Sequence, residues 1–427
     1  MKIAVISNIA SFHHVAKLLS KESEVWHYGA NSLVPKSKNY HPVPGDFHLK
    51  IPVDIVGTGV IDPVLSNVIK DIKNKNIDFV LTSGTELSWN KAIQDSLTQL
   101  NIPYFFVNIK SAYLEYNKFK AKQVLSELGI PTAPSIFEEV NGQFLFDKFY
   151  DIARPFVIKI YRYQYGKQTT IVTNDNFQEV YLDLFSKKLG LETRSTNIND
   201  DWLLILEEVI NIKKELSCHY LINEKDCRYL GSARDYKQFH NGDTGHNSRS
   251  LGAYNVNEID KRIHEYADKI FNYLKIQNYH YKGFLFLGIA VDETDTPVVL
   301  EINTRAGDPE INVVLESIDN NLGDLLFAAS TNSNIPNIVH NNKKTVSVRL
   351  INSVYNWEVP ASRLPKLLDV PDNIIHSLEG RNQFYITHSL FTASSNTHKN
   401  ASKKIYTYLD KQDVGQYRYR SDIGILK

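Results

Sequence analysis

The chain has 427 residues, more than one hydrophobic core holds, so its length predicts two to four domains. Hydrophobic residues at 42% and charged residues at 22% exclude a disordered chain, and 48 basic against 48 acidic residues leave no net charge for a general nucleic-acid or membrane-surface binder. Cys218 and Cys227 alone give neither a disulfide framework nor a Cys-x-x-Cys metal site, and no run approaches the ~20 apolar residues of a membrane span. The apolar opening of Met1–Ser7 is too short for a signal-peptide core, so the expected compartment is the reducing cytoplasm.

The predicted elements begin with a strand at 2–7, a polar loop and a helix at 12–19. A strand at 24–28, a helix at 63–73, a strand at 77–82, a helix at 89–100 and a strand at 103–107 follow. Strands alternating with helices predict parallel β-α units and a doubly wound first domain, whose ligands belong at the strand ends 7–12 and 83–86. A helix at 118–128 is stopped by Gly129-Ile130-Pro131, and 155–231 reads as β-rich with a helix around 176–189 and a polar loop at 190–201. A long amphipathic helix at 257–276 leads into apolar strands at 283–291 and 297–302. The remainder, from about 343, reads as short strands and one helix at 401–408.

Four clusters carry chemistry. Lys159 ends the apolar strand Pro155-Phe156-Val157-Ile158, and Gly166-Lys167 follows it; a buried ammonium needs an anion, and a Gly-Lys loop suits phosphates. The run Leu204-Ile205-Leu206-Glu207-Glu208-Val209, with Glu215 beyond it, has the form of a purine-binding hinge. Glu301 and Asn303 lie two apart on a strand and share a face, the arrangement Mg²⁺ needs when phosphate oxygens complete its shell. Arg305 follows them and is suited to holding a carboxylate or acyl phosphate through two hydrogen bonds. The fourth cluster, Asp235-Tyr236-Lys237 with Asn241-Gly242-Asp243-Thr244-Gly245, is turn-rich. Each also has an ordinary reading as a solvated strand end or turn. The third is the most specific.

The order of the clusters is what identifies a family. The chain resembles phosphoribosylamine–glycine ligase (glycinamide ribonucleotide synthetase), an ATP-grasp enzyme. The resemblance rests on Leu114-Glu115 with Lys118 to Lys122, Gly129-Ile130-Pro131-Thr132-Ala133, Val157-Ile158-Lys159, Gly166-Lys167 and Glu207-Glu208. It continues through Gly242-Asp243-Thr244-Gly245, Gly252-Ala253-Tyr254, Gly283-Phe284-Leu285, Glu301-Ile302-Asn303-Thr304-Arg305, Gly307-Asp308-Pro309-Glu310 and Arg420-Ser421-Asp422-Ile423-Gly424.

The resemblance implies an α/β ATP-grasp fold with an N-terminal doubly wound domain at 1–112, an ATP-grasp domain at 113–340 with a flap lobe near 131–200, and a small α+β domain at 341–427. It implies ATP and Mg²⁺ (or Mn²⁺) as cofactors, with Lys118 and Lys159 on the phosphates and Lys167 in the flap. Glu207 and the Val209 backbone would hold adenine and Glu215 the ribose, while Glu301 and Asn303 would ligate the metal. Arg305, Asp235 and Lys237 would stand at the reacting centre. The implied partners are a small-molecule carboxylate and amine, with no nucleic acid and no membrane.

The departures fall on the phosphoribosylamine side. Where the family has Gly-Asn-Gly-Gly-Arg-Glu-His after its first strand, this chain has Ser7-Asn8-Ile9-Ala10-Ser11-Phe12-His13, without the glycines that allow a backbone to approach a phosphate. The Thr-Gly-Gly stretch is replaced by Ser248-Arg249-Ser250, and Gly84-Thr85-Glu86 alone still resembles the strand-end carboxylate that would meet a ribose. Asn8, His13, Glu86 and Arg249 are therefore the candidate substrate residues. The expectation is an ADP-forming carboxylate–amine ligase with a substrate other than phosphoribosylamine. A genuine phosphoribosylamine–glycine ligase and a catalytically inactive nucleotide-binding module stand as alternatives.

Overall fold

The computed structural model describes residues 1–30, 36–44, 63–83, 85–88, 90–141, 148–161, 169–182, 203–248, 250–352, 370–382 and 385–425. They form two compact units: Met1–Ala112, Leu216–Leu287 and Asn303–Lys427 in the first, and Tyr113–Glu215 with Gly288–Ile302 in the second. None of their helices is long and apolar enough to cross a membrane.

The first unit begins with β1 (Lys2–Ile6), α1 (Ala10–Leu19), β2 (Glu24–Tyr28), β3 (Tyr40–Val43), α2 (Pro63–Asn74), β4 (Phe79–Thr82), α3 (Thr85–Ser88), α4 (Lys91–Gln99) and β5 (Tyr104–Phe105). The five strands make one parallel sheet in the order β3-β2-β1-β4-β5. This is the doubly wound domain the alternating pattern predicts. Its core is apolar on both faces, with Ile3, Val5, Phe79 and Leu81 on one side and Ala4, Ile6 and Val80 on the other. The sequence reading had missed β3, whose Tyr40-His41-Pro42-Val43 carries a proline. Proline is tolerated there because β3 is an edge strand.

Next come α5 (Ile109–Tyr116) and α6 (Lys118–Glu127), separated by Asn117, whose Oδ1 accepts from Lys120 N–H at 2.8 Å and caps α6. The second unit's sheet has the order β6-β9-β7-β8, built from β6 (Ser135–Asn141), β7 (Phe156–Tyr161), β8 (Thr169–Val172) and β9 (Leu203–Glu208). β9 runs antiparallel to β7, pairing Val157 with Glu207 and Lys159 with Ile205. Phe149, Phe156, Ile158, Val172 and Leu206 form its core. Residues 177–182 are helical as expected; the predicted loop at 190–201 lies outside the described residues.

The chain continues through β10 (Ile212–Ile222), β11 (Cys227–Asp235), β12 (Gln238–His240), β13 (Thr244–Asn247), β14 (Gly252–Val256), α7 (Lys261–Ile276), β15 (Gly283–Asp292) and β16 (Pro297–Asn303). Then follow α8 (Glu310–Leu315), α9 (Leu322–Ser330), β17 (Lys344–Asn352), β18 (Ile375–Asn382), β19 (Tyr385–Ser395), α10 (His398–Leu409) and β20 (Tyr417–Arg418). The long helix starts at Lys261 rather than at 257, because Asp260 caps it by accepting from Arg262 N–H. In the first unit the antiparallel order β10-β11-β14-β17-β19-β18 makes one sheet, with β20 on β17. β17 is buried on both faces. Val346, Val348 and Leu350 join the apolar cluster that includes Ile405 and Leu409 of α10, while Thr345, Ser347 and Arg349 alternate with them and are 0% exposed.

Candidate functional site

In the second unit, β7 and β9 place Lys159 and Glu207 side by side, and α6 adds Lys118 and Lys122. Glu207 is 3% exposed and is gripped from two sides, with Lys159 Nζ 2.7 Å from Oε2 and Lys122 Nζ 2.8 Å from Oε1. Lys122 also donates to Ala133 O, and Lys159 to Leu300 O at 3.0 Å. Lys118 Nζ lies 3.4 Å from Glu301 Oε2. Burial holds the Lys159 ammonium below its usual range, and the adjacent Glu207 carboxylate pulls it back up.

Three ammoniums against the two carboxylates leave one positive charge in excess, in a setting where the cations already have fixed positions. This is a fit to a polyphosphate. Gly288 on β15 makes room for the Glu301 side chain, because a Cβ there would stand 2.9 Å from Glu301 Cγ. Asn303, two residues along β16 from Glu301, is 4% exposed and its Nδ2 has no partner, so an oxygen-rich ligand would satisfy it. The Glu301 carboxylate is a hard donor and suits Mg²⁺ that draws its other ligands from phosphate and water; Asn303 opens the next segment of the first unit. Among the described residues, no cluster of three His, Cys, Asp or Glu side chains could hold a metal by itself.

The adenine side differs in emphasis from the expectation. Both Glu207 oxygens are engaged by lysines, so its carboxylate orients Lys122 and Lys159. Val209 and Glu215 are half-buried just beyond β9 and at the start of β10.

In the first unit, Arg305 follows β16, and its Nη1 donates to Ala306 O at 3.0 Å. Gly307 N–H donates to His219 Nε2 at 3.0 Å, which fixes His219 as the neutral tautomer protonated on Nδ1. Burial lowers the His219 pKa to about 3, and its ring stacks on Phe286 at 4.9 Å. Glu310 opens α8, 5% exposed, with Ser217 Oγ 3.5 Å from Oε1. Burial first, and then the nearby Asp235, raise its carboxyl well above the ordinary carboxylate range. Asp235 ends β11 with Lys237 Nζ 3.9 Å from its Oδ2. The structure thus gathers Asp235, Lys237 and Glu310 in one neighbourhood; sequence reasoning had quoted Glu310 only as part of a motif.

The end of β1 runs into a loop that is bonded and packed internally. Ile9 N–H donates to Ser7 Oγ at 3.2 Å, and Ala10, Ser11, Phe12 and His13 are all buried. His13 and His14 do not face solvent. His13 Nδ1 accepts from Leu378 N–H at 3.0 Å, and His14 Nε2 lies 3.4 Å from Glu316 Oε1. Asn8 is buried beside them. Lys167 and Arg249 lie outside the described residues, as does the side chain of Glu86 on α3.

Sequence reasoning missed Arg349. It is 0% exposed on β17, and its Nη2 lies 2.8 Å from Asp308 Oδ2, while Ser11 Oγ donates to Asp308 Oδ1. The alternation Thr345-Val346-Ser347-Val348-Arg349-Leu350 reads as a half-solvated strand, and nothing local announces a second buried face.

Residues 116–311 match the family profile described as phosphoribosylglycinamide synthetase, ATP-grasp (A) domain. A phosphoribosylamine–glycine ligase of Listeria innocua is 25% identical over 447 aligned positions, covering 99% of each chain. One of Leptospira interrogans is 26% identical over 379, covering 84% of this chain and 86% of the relative. The crystal structure of a phosphoribosylamine–glycine ligase from Thermotoga maritima superposes with a TM-score of 0.72 at 21% identity, covering 99% of this chain and all of the other. A biotin carboxylase from Campylobacter jejuni gives 0.66 at 13% identity, covering 97% and 92%. The fold is ATP-grasp, and the resemblance read from the motifs is borne out along the length of the chain.

Proposed function

We propose that this protein is an ATP-dependent carboxylate–amine ligase, ADP-forming, whose amine substrate is not phosphoribosylamine. Sequence and fold align it with ATP-grasp ligases that join a carboxylate to an amine. The finer reading rests on one observation. The β1–α1 segment uses its own groups internally, Ile9 N–H on Ser7 Oγ and Ser11 Oγ on Asp308, and fills the first turn of α1 with buried side chains. Between Ser7 and Ala16 the segment itself offers a substrate phosphate neither a glycine nor a lysine or arginine.

On this reading Lys118, Lys122 and Lys159 bind the triphosphate, Glu207 holds two of them in place, and Glu301 and Asn303 hold Mg²⁺. ATP supplies the phosphoryl group that activates the carboxylate, leaving ADP. Arg305 neutralises the activated carboxylate, and Lys237 does so with it while Asp235 orients Lys237. Burial and the nearby Asp235 favour the neutral form of Glu310, which offers the centre a hydrogen-bond donor.

The names of the Listeria and Leptospira relatives support a genuine phosphoribosylamine–glycine ligase as the second reading. An inactive nucleotide-binding module has no use for Glu301, Asn303, Arg305, Lys118 and Lys159 together.

The chemistry is tested by supplying a pool of amino acids carrying ¹⁸O in the carboxyl group, with a pool of amines, ATP and Mg²⁺. A ligase of this kind transfers one ¹⁸O to phosphate for each ADP formed, and Glu301→Ala abolishes the transfer. ADP formation with unlabelled phosphate, or AMP formation, overturns the proposal.

A further inference from the structure

Asp308 divides its two oxygens between elements that are far apart in the chain. Oδ1 accepts from Ser11 in the first turn of α1, and Oδ2 lies 2.8 Å from Arg349 Nη2 on β17. The guanidinium is 0% exposed, on the polar face of a strand whose other side is packed with valine and leucine. A fully buried cation placed there destabilises the sheet unless an anion meets it. That anion belongs to the segment between Arg305 and Glu310. The same polar face continues through Ser347, whose Oγ lies 3.1 Å from Thr392 Oγ1, and Thr392 Oγ1 in turn is 3.5 Å from Asn312 Nδ2 on α8. The seam therefore runs along the path that positions α8 and the loop before it.

Position 11 is where the resembled family carries arginine in its first loop, and here it is serine. Ser11 meets Asp308 with a neutral hydroxyl, and the positive charge comes from Arg349 on β17.

We propose that Arg349 is the positioning residue of the Arg305–Glu310 segment, a buried cation on β17 that fixes Asp308 from the side opposite Ser11. Only the kinetic arm of its test rests on the ligase reading.

The test is hydrogen–deuterium exchange of peptides covering 303–312 in the full chain, for R349M, R349K, S11A and S11R/R349M. R349M raises exchange of this segment tenfold or more while peptides of β1 and β2 stay unchanged. R349K recovers most of the protection, and S11R/R349M returns it to within threefold of the parent. Should R349M not fold, S11A and R349K carry the test, each with a smaller loss confined to the same peptides. Unchanged exchange in R349M, or no recovery when arginine is restored at position 11, overturns the proposal. With whichever carboxylate and amine support ADP release, R349K lowers kcat about tenfold and leaves KM for MgATP within twofold; a KM effect alone overturns it. If the parent protein turns over no pair, the ligase reading fails, and the exchange arm still decides the role of Arg349.

Discussion

Lys159 Nζ lies 2.7 Å from Glu207 Oε2, and that carboxylate, nearly sealed from water, is shared with Lys122. The carboxylate expected to meet adenine is the ion-pair partner of two buried ammoniums. Removing it leaves buried cations unopposed, the costly way to break a buried pair. Glu207→Gln should lower unfolding free energy by about 3–5 kcal/mol, read from urea denaturation.

The same pair sets a pH dependence. Burial lowers the Lys159 pKa and Glu207 raises it, so Glu207→Gln moves it further down. Lys159 then loses its charge at a lower pH than in the parent. The dissociation constant for MgATP, titrated against pH, should begin to rise earlier in the variant. Superimposed profiles would mean that Lys159 does not meet phosphate.

A second pH effect comes from His27, buried with Nδ1 2.8 Å from Tyr40 OH and Nε2 2.8 Å from Ser7 O. Burial lowers its pKa from 6.5 to about 4. The unfolded chain therefore binds the extra proton first on acidification, and stability falls as pH drops from 6.5 towards 4. His27→Gln should remove about 3 kcal/mol of that acid sensitivity, seen by comparing urea midpoints at neutral and acid pH.

Glu301→Ala should cut turnover by about a hundredfold or more while leaving the fold intact, since Glu301 is only half-buried and Lys118 remains near solvent. ADP release and circular dichroism measure the two together.

Arg420, 0% exposed, meets Asp243 at 2.9 Å and Asp422 at 2.5 Å and lies over the Tyr236 ring. It ties the 241–245 turn to the C-terminal segment. Arg420→Ala should cost about 3–5 kcal/mol of stability, with Arg420→Lys costing less. Thermal and urea midpoints report it.

Much of this was legible in the chain. The alternation of apolar strands with helices foretold the parallel sheet, because a strand buried on both faces has to be continuously apolar. The placing of Glu301 and Asn303 on one strand was legible too, because a period of two puts both side chains on one face. What was not legible depends on distant partners. That Glu207 would be taken by Lys122, that Glu310 would be sealed beside Asp235, and that Arg349 would meet Asp308 are all set by elements dozens of residues apart. His13 was a candidate substrate residue; the burial of His13 and His14 against β18 and α8 is a tertiary fact with no local signature.

The central claim is most directly tested by ADP release from the purified protein with ATP and Mg²⁺, screened over carboxylates paired with amines, phosphoribosylamine among them. The account predicts turnover with a pair that excludes phosphoribosylamine and little or none with glycine plus phosphoribosylamine. Turnover with glycine and phosphoribosylamine alone would contradict it, and would show that the closed β1–α1 segment still admits that substrate.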